Sequence, residues 1–176
     1  MDLTEVFRRV SNALDAAQIP YMLVGSFASS YHGAPRSTQD IDIVIDAGPE
    51  QLQKLIQDLQ GTGYYAQMDD ALEAWRHQSM FNVLDTEVSW KIDFIFVPPT
   101  PFGRQEFRRR KPIEFQGIPL FIATPEDVIL SKLQWVKMSE SGRQIADVSA
   151  LLKNIWENLD HNYLDHRSGA PRCICA

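Results

Sequence analysis

Asp40 and Asp42 stand two apart in the run DIDIVID at residues 40–46. In an extended strand side chains alternate between faces, so both carboxylates point one way and Ile41, Ile43 and Ile45 the other. Like charges on so apolar a strand are costly unless a cation sits between them. Magnesium is the usual solution, because it takes a few carboxylates together with phosphate oxygens and water. Asp93 repeats the pattern as the single charge in Ile92-Asp93-Phe94-Ile95-Phe96. If the two strands are neighbours, three carboxylates converge, enough to hold two divalent ions for an in-line displacement at phosphorus. Asp46 reads only as the lead into a turn.

Upstream, the apolar run Tyr21 to Val24 is stopped by Gly25-Ser26, ahead of a stretch of small residues. A strand–Gly-Ser–helix turn lets backbone N–H groups approach a phosphate, and a helix N-terminus favours its charge. Arg36 and Thr38, in the loop before the acids, either meet a nucleotide or fix the loop. His32 reads as a loop histidine. Arg104, Arg108, Arg109, Arg110 and Lys111 form the one dense basic run, a candidate contact for an RNA backbone. A polyanion footprint normally draws on several segments, so a solvated face is the favoured reading. The tail carries His161, His166, Cys173 and Cys175 at a spacing that fits no common zinc site, and it reads as lightly packed.

The elements that must position these groups follow from periodicity and caps. Residues 3–17 read as an amphipathic helix on Leu3, Val6, Phe7, Val10 and Leu14. A buried strand at 21–24, one or two helical turns at 26–33 and a strand at 40–46 come next. Pro49 opens a helix with Leu52, Leu55, Ile56 and Leu59 inward, ending at Gly61-Thr-Gly63. A strand at 64–68, a helix at about 70–77 and a hairpin of 79–86 with 90–97 follow. Pro98, Pro99 and Pro101 end the hairpin. Two extended pieces flank Gly117. Thr124-Pro-Glu-Asp127 starts a helix, with Val128, Leu130, Leu133 and Val136 predicted inward. A second helix over about 142–153 turns Ile145, Val148, Leu151 and Leu152 inward. The order predicts an α/β (α+β) fold with a mixed sheet: a core over 1–123, a C-terminal helical segment over 124–160 and a tail over 161–176.

The 176 residues are 44% hydrophobic and 23% charged, a globular composition. A net charge of −6 excludes a uniformly basic nucleic-acid coat. There is no run long enough to span a membrane and no signal-peptide pattern at the start. Two cysteines near the end exclude a disulfide scaffold and make a reducing cytoplasm the expected location.

Val24-Gly25-Ser26, then Asp40-Ile-Asp42-Ile43, then Asp93 on a later strand resemble the signature of the DNA-polymerase-beta-like nucleotidyltransferases. His32-Gly-Ala-Pro-Arg36-Ser-Thr38-Gln-Asp40-Ile-Asp42 is similar to a minimal bacterial branch that includes the abortive-infection (AbiEii-type) toxins. Ala123-Thr-Pro-Glu-Asp-Val-Ile-Leu-Ser-Lys132-Leu and the helix Arg143…Asp147 also resemble that branch, so the likeness spans roughly residues 19–153. The resemblance implies a nucleotidyltransferase-like mixed sheet with the acids on its open face and helices behind. It implies two magnesium ions on Asp40, Asp42 and Asp93, with Asp93 also activating the acceptor hydroxyl. Gly25 and Ser26 would hold the triphosphate of a nucleoside triphosphate such as ATP, with Lys132 near the phosphates. Arg143 and Asp147 match later polar positions; by spacing alone they pair at i, i+4 on a helix face.

The reading is a magnesium-dependent enzyme that moves a nucleoside monophosphate to an RNA or protein acceptor, within a toxin–antitoxin or phage-defence system. The alternative is a catalytically silent nucleotide-binding or antitoxin partner of the same fold. A metal-dependent phosphodiesterase built on the same acids leaves Gly25-Ser26 unexplained.

Overall fold

Leu3–Ala16 form α1, burying Val6, Phe7, Val10 and Leu14 along one stripe. This is the computed structural model of the chain, and it describes residues 3–87, 90–139 and 142–168. β1 (Tyr21–Leu23) leads through Val24 into α2 (Gly25–His32), which takes in the glycine placed before it by the sequence reading. β2 (Asp40–Ile45) follows a loop, and α3 (Pro49–Gly61) buries Leu52, Leu55, Ile56 and Leu59. The Gly48 N–H donates to Gln51 Oε1 at 3.0 Å, which closes the start of that helix. β3 is only Tyr64–Tyr65, shorter than predicted, because α4 (Met68–His77) begins early. β4 (Met80–Asp85) and β5 (Lys91–Phe96) form the expected hairpin.

A helix that the proline reading missed comes next: α5 (Pro101–Arg109). Thr100 caps it by accepting the Gly103 N–H at 3.0 Å, and Pro101 sits at its first turn. β6 (Lys111–Phe115) and β7 (Ile118–Ile122) make a second hairpin around Gly117. α6 (Pro125–Ser139), α7 (Gly142–Ile155) and α8 (His161–Ser168) complete the described chain.

The strands form one mixed sheet in the order β3-β4-β5-β2-β1-β7-β6. β2 with β5 and β1 with β7 are parallel; the other pairs are antiparallel. Ile41, Ile43 and Ile45 of β2 share a face with Ile92, Phe94 and Phe96 of β5, and all are buried in the main core cluster. Each such side chain contributes about 1.5–3 kcal/mol, so the register of the two central strands is strongly specified. On the opposite face Val44 is buried as well, so the alternation in β2 is less strict than its sequence.

α6 and α7 differ from their predicted faces. Leu133 and Ile145 are exposed, while Ile129 and the charged Lys132 and Asp147 are buried. An ion pair, described below, is buried at positions 132 and 147, which the periodicity did not turn inward. Residues 161–168, predicted as tail, form α8 instead. Tyr163 of that helix donates its hydroxyl to Asp127 Oδ1 at 2.6 Å, and the Arg109 guanidinium lies 3.7 Å over its ring. Cys173 and Cys175 lie outside the described residues. Among the described residues no helix is long and apolar enough to cross a membrane.

Candidate active site

The pairing of β2 with β5 sets Asp42 directly beside Asp93 and Asp40 beside Lys91. β4 adds Asn82, directly opposite Asp93. Residues opposite one another in a ladder share a face. One face of three adjacent strands therefore carries Asp40, Asp42, Lys91, Asp93 and Asn82, as the sequence required of its three acids.

The carboxylates are not equivalent. Asp42 is drawn in, and burial raises its pKa; the charge of Asp93 and then that of Asp40 add to this, while the Ser26 backbone N–H and the Lys132 charge oppose it. Asp93 is buried but already neutralised: Lys91 Nζ lies 2.8 Å from its Oδ2, and Asn82 Nδ2 donates to its Oδ1 at 2.8 Å. The hydrogen bond that Lys91 donates to Asp93 in turn raises the pKa of Lys91. Asp40 is exposed at the strand start, where Thr38 Oγ1 accepts its backbone N–H at 3.1 Å. Thr38 thus fixes the loop to the strand, one of the two roles its position allowed.

Gly25 explains the turn before the acids. It has φ +61°, and a Cβ built there would lie 1.9 Å from Asp42 Oδ2. Only glycine lets the start of α2 close over that carboxylate. Ser26 follows, nearly buried, and its hydroxyl accepts a hydrogen bond from Arg36 Nη2. Arg36 Nε lies 3.5 Å from Asp147 Oδ2, and Lys132 Nζ lies 2.8 Å from the same oxygen. Lys132 also donates to Gln144 Oε1 at 2.8 Å. Two cations from separate elements therefore meet at one carboxylate of α7, and they tie the helical segment to the start of α2.

Asp147 is accordingly paired with Lys132 and Arg36 rather than with Arg143, which stands exposed on α7 outside the cluster. The spacing of i, i+4 allowed that local pair, but a buried partner in low dielectric competes better than an exposed one. Three of the five side chains of the basic run are engaged within the fold, while Arg108 and Lys111 are exposed. Arg109 pairs with Asp127 at 2.9 Å, Arg110 Nη1 donates to the Phe107 carbonyl at 2.7 Å, and Arg104 to that of Pro99 at 2.8 Å. His32 Nε2 donates to the Ala123 carbonyl at 2.8 Å, and burial lowers its pKa. Lys91, Asn82 and Gln144 were absent from the sequence reading. Lys91 could have been found, since it shares a strand face with Asp93 two residues on; Asn82 and Gln144 needed the tertiary register.

Among the described residues no three His, Cys, Asp or Glu side chains stand at metal-ligating spacing. The three acids share a face, but Asp93 turns to Lys91. The donor set still fits a divalent cation. Asp42 is a half-buried oxygen donor whose pKa is raised by burial, then by Asp93 and Asp40, and a divalent cation would relieve that crowding.

A family model described as "Nucleotidyltransferase of unknown function (DUF6036)" matches residues 1–172. No curated protein sequence matches the chain. Among solved structures, ANT(2")-Ia in complex with adenylyl-2"-tobramycin is 13% identical, with 94% of each chain covered and a TM-score of 0.62. The lincosamide antibiotic adenylyltransferase LnuA, bound to lincomycin, is 17% identical, with 88% of this chain and 98% of that one covered and a TM-score of 0.56. An antigenic nucleotidyltransferase-like protein from Paracoccidioides brasiliensis is 18% identical, with 85% of this chain and 74% of that one covered and a TM-score of 0.59. At these identities the likeness is one of fold.

Proposed function

Because the chain belongs to the nucleotidyltransferase family described as DUF6036, we propose that it transfers a nucleoside monophosphate from a nucleoside triphosphate to an acceptor hydroxyl. The observation that carries this reading is the junction of two motifs: the carboxylate of Asp42, beside Asp93, packs against Gly25 at the start of α2. Acid face and phosphate turn are thereby one site.

Asp40, Asp42 and Asp93 would hold magnesium, which when bound neutralises phosphate oxygens and polarises the reacting phosphorus. Ser26 and the backbone at the start of α2 would take the phosphate chain, flanked by Arg36 and Lys132. The acceptor oxygen would bond to the α-phosphorus as the bond to the bridging oxygen breaks, and pyrophosphate would leave. Asp93 would receive the acceptor proton after releasing Lys91. Asp147 and Gln144 would position Lys132.

The acceptor follows from size and charge. The chain and LnuA cover nearly all of one another, and that protein is an antibiotic adenylyltransferase. Three side chains of the basic run, which the sequence reads as a solvated face rather than an RNA footprint, are engaged within the fold. Both favour a small hydroxyl compound over RNA or protein. One observation favours a second reading, a silent nucleotide-binding partner within a toxin–antitoxin pair: Asp93 already carries a protein counter-charge.

The test incubates the full chain with α-labelled ATP, magnesium and, in turn, lincomycin, tobramycin, total RNA and a protein extract. Label should pass to a small compound and vanish in the Asp40→Asn/Asp42→Asn variant. Transfer that survives in that variant overturns the proposal. Nucleotide binding that is lost in Lys132→Met, with no turnover in the parent chain, supports the silent partner.

A further inference from the structure

Lys91 stands two residues before Asp93 on β5, so both side chains leave the strand on one face, roughly 6.7 Å apart at their roots. A lysine stem can span that distance, and Lys91 Nζ lies 2.8 Å from Asp93 Oδ2. The other oxygen is held separately: Asn82 Nδ2 donates to Oδ1 at 2.8 Å. Asn82 thus restrains the carboxylate, and Oδ2 is the oxygen left to a cation.

The two partners of this ion pair differ in freedom. The Asp93 side chain is 9% exposed and that of Lys91 39%. The carboxylate is fixed in the sheet, whereas the ammonium can swing into water with little loss of packing. Asp40 stands directly across the ladder from Lys91, and Asp42 directly across from Asp93. The charges of all three acids act on Lys91. It is a cation of the whole acid cluster, tethered by its own backbone.

We propose that Lys91 is a tethered counter-ion that competes with the divalent metal for Asp93 Oδ2, so that the acids bind free metal weakly and take it up together with the triphosphate. The inference rests on Asp40, Asp42 and Asp93 being the metal ligands of the proposed transferase. An ammonium group and a divalent cation on one carboxylate oxygen repel each other at short range, where little water screens them. One must yield, and Lys91 has the route out. Moving it costs less when a triphosphate brings its own negative charge to the same face, because the ammonium then exchanges one anion for another. Until then Lys91 offsets the repulsion among three carboxylates on two apolar strands.

The experiment follows manganese, in place of magnesium, by the paramagnetic resonance of the free ion in the presence of the full chain. Lys91→Met keeps most of the stem and removes the charge. Lys111→Met, exposed on β6 four strands along the sheet, makes the same change of net charge elsewhere. Lys91→Met should bind free manganese tenfold or more tighter than the parent, with Lys111→Met and Lys91→Arg within threefold of it. Lys91→Gln, which can still donate to Asp93, should gain in the same direction and serves if the methionine chain does not fold. In an Asp93→Asn background the gain should shrink below threefold, because the contested charge is gone. Calorimetry with the preformed manganese complex of α,β-methylene ATP should find the parent and Lys91→Met within threefold of each other. Manganese bound equally well by the parent and by both neutral variants overturns this inference alone. So does a gain that persists in full in the Asp93→Asn background, which would make Lys91 a distant charge rather than a competitor. If no chain takes up manganese with or without nucleotide, the metal-dependent reading of the site falls, and this inference with it.

Discussion

Replacing Gly25 by alanine should damage stability and chemistry together, and the structure says by how much. The residue has φ +61°, which costs an L side chain roughly 1–2 kcal/mol. The new Cβ would lie 1.9 Å from Oδ2, 2.7 Å from Cγ and 3.0 Å from Cβ of Asp42. Rotating the carboxylate relieves the first contact at about 0.5–1.5 kcal/mol if it leaves its rotamer. The last cannot be relieved that way, because Cβ is fixed to the strand. Together these come to about 1.5–3.5 kcal/mol, or a fall in Tm of roughly 3–14 °C for a chain of this size. A carboxylate displaced by about 1 Å should reduce transfer on the order of a hundredfold. Gly117→Ala is the control, since it has φ +79° and nothing within 4 Å, so it carries the strain without the collision. Thermal melts and initial rates of label transfer, with magnesium-nucleotide calorimetry alongside, measure both effects. If Gly25→Ala loses no more stability than Gly117→Ala and still binds nucleotide normally, the reasoning about the carboxylate cradle is wrong.

Two further predictions concern charge. Asp42 has its pKa raised by burial, then by Asp93 and Asp40. A carboxyl raised on folding binds its proton more tightly in the native state, so its ionised form costs stability above the unfolded pKa. Asp42→Asn should therefore raise Tm at pH 7.5 without magnesium and abolish the magnesium-induced rise of the parent. A less stable variant in metal-free buffer would contradict this. Glu106, pushed up from 4.5 to about 7 chiefly by burial, accepts the Ser131 hydroxyl at 2.8 Å. Its contribution is fully present below pH 4.5 and is lost as pH rises through about 7, at most on the order of 3 kcal/mol. Glu106→Gln should flatten melting temperature against pH between 5 and 8, and parallel curves for parent and variant would refute the assignment.

The chemistry was legible wherever it obeyed a local rule. Period two put Asp40 and Asp42 on one face and three isoleucines on the other, and Thr124-Pro125 announced α6 through its cap. The same cap grammar at Thr100-Pro101 marked α5, but three prolines were read there as a stop. α8 has no such amphipathic stripe; it is held by Tyr163 and Arg109, a contact between distant segments.

Alternation and capping depend on neighbours along the chain, so the amino-acid order alone determined the acid pair, the glycine turn and the hairpin of β4 with β5. The tertiary structure alone decided that Asp42 stands beside Asp93, that Lys91 and Asn82 claim Asp93, and that Asp147 gathers Lys132 and Arg36 instead of Arg143. Those choices are competitions between partners far apart in sequence. Burial and dielectric settle them, and neither exists until the sheet and helices have packed.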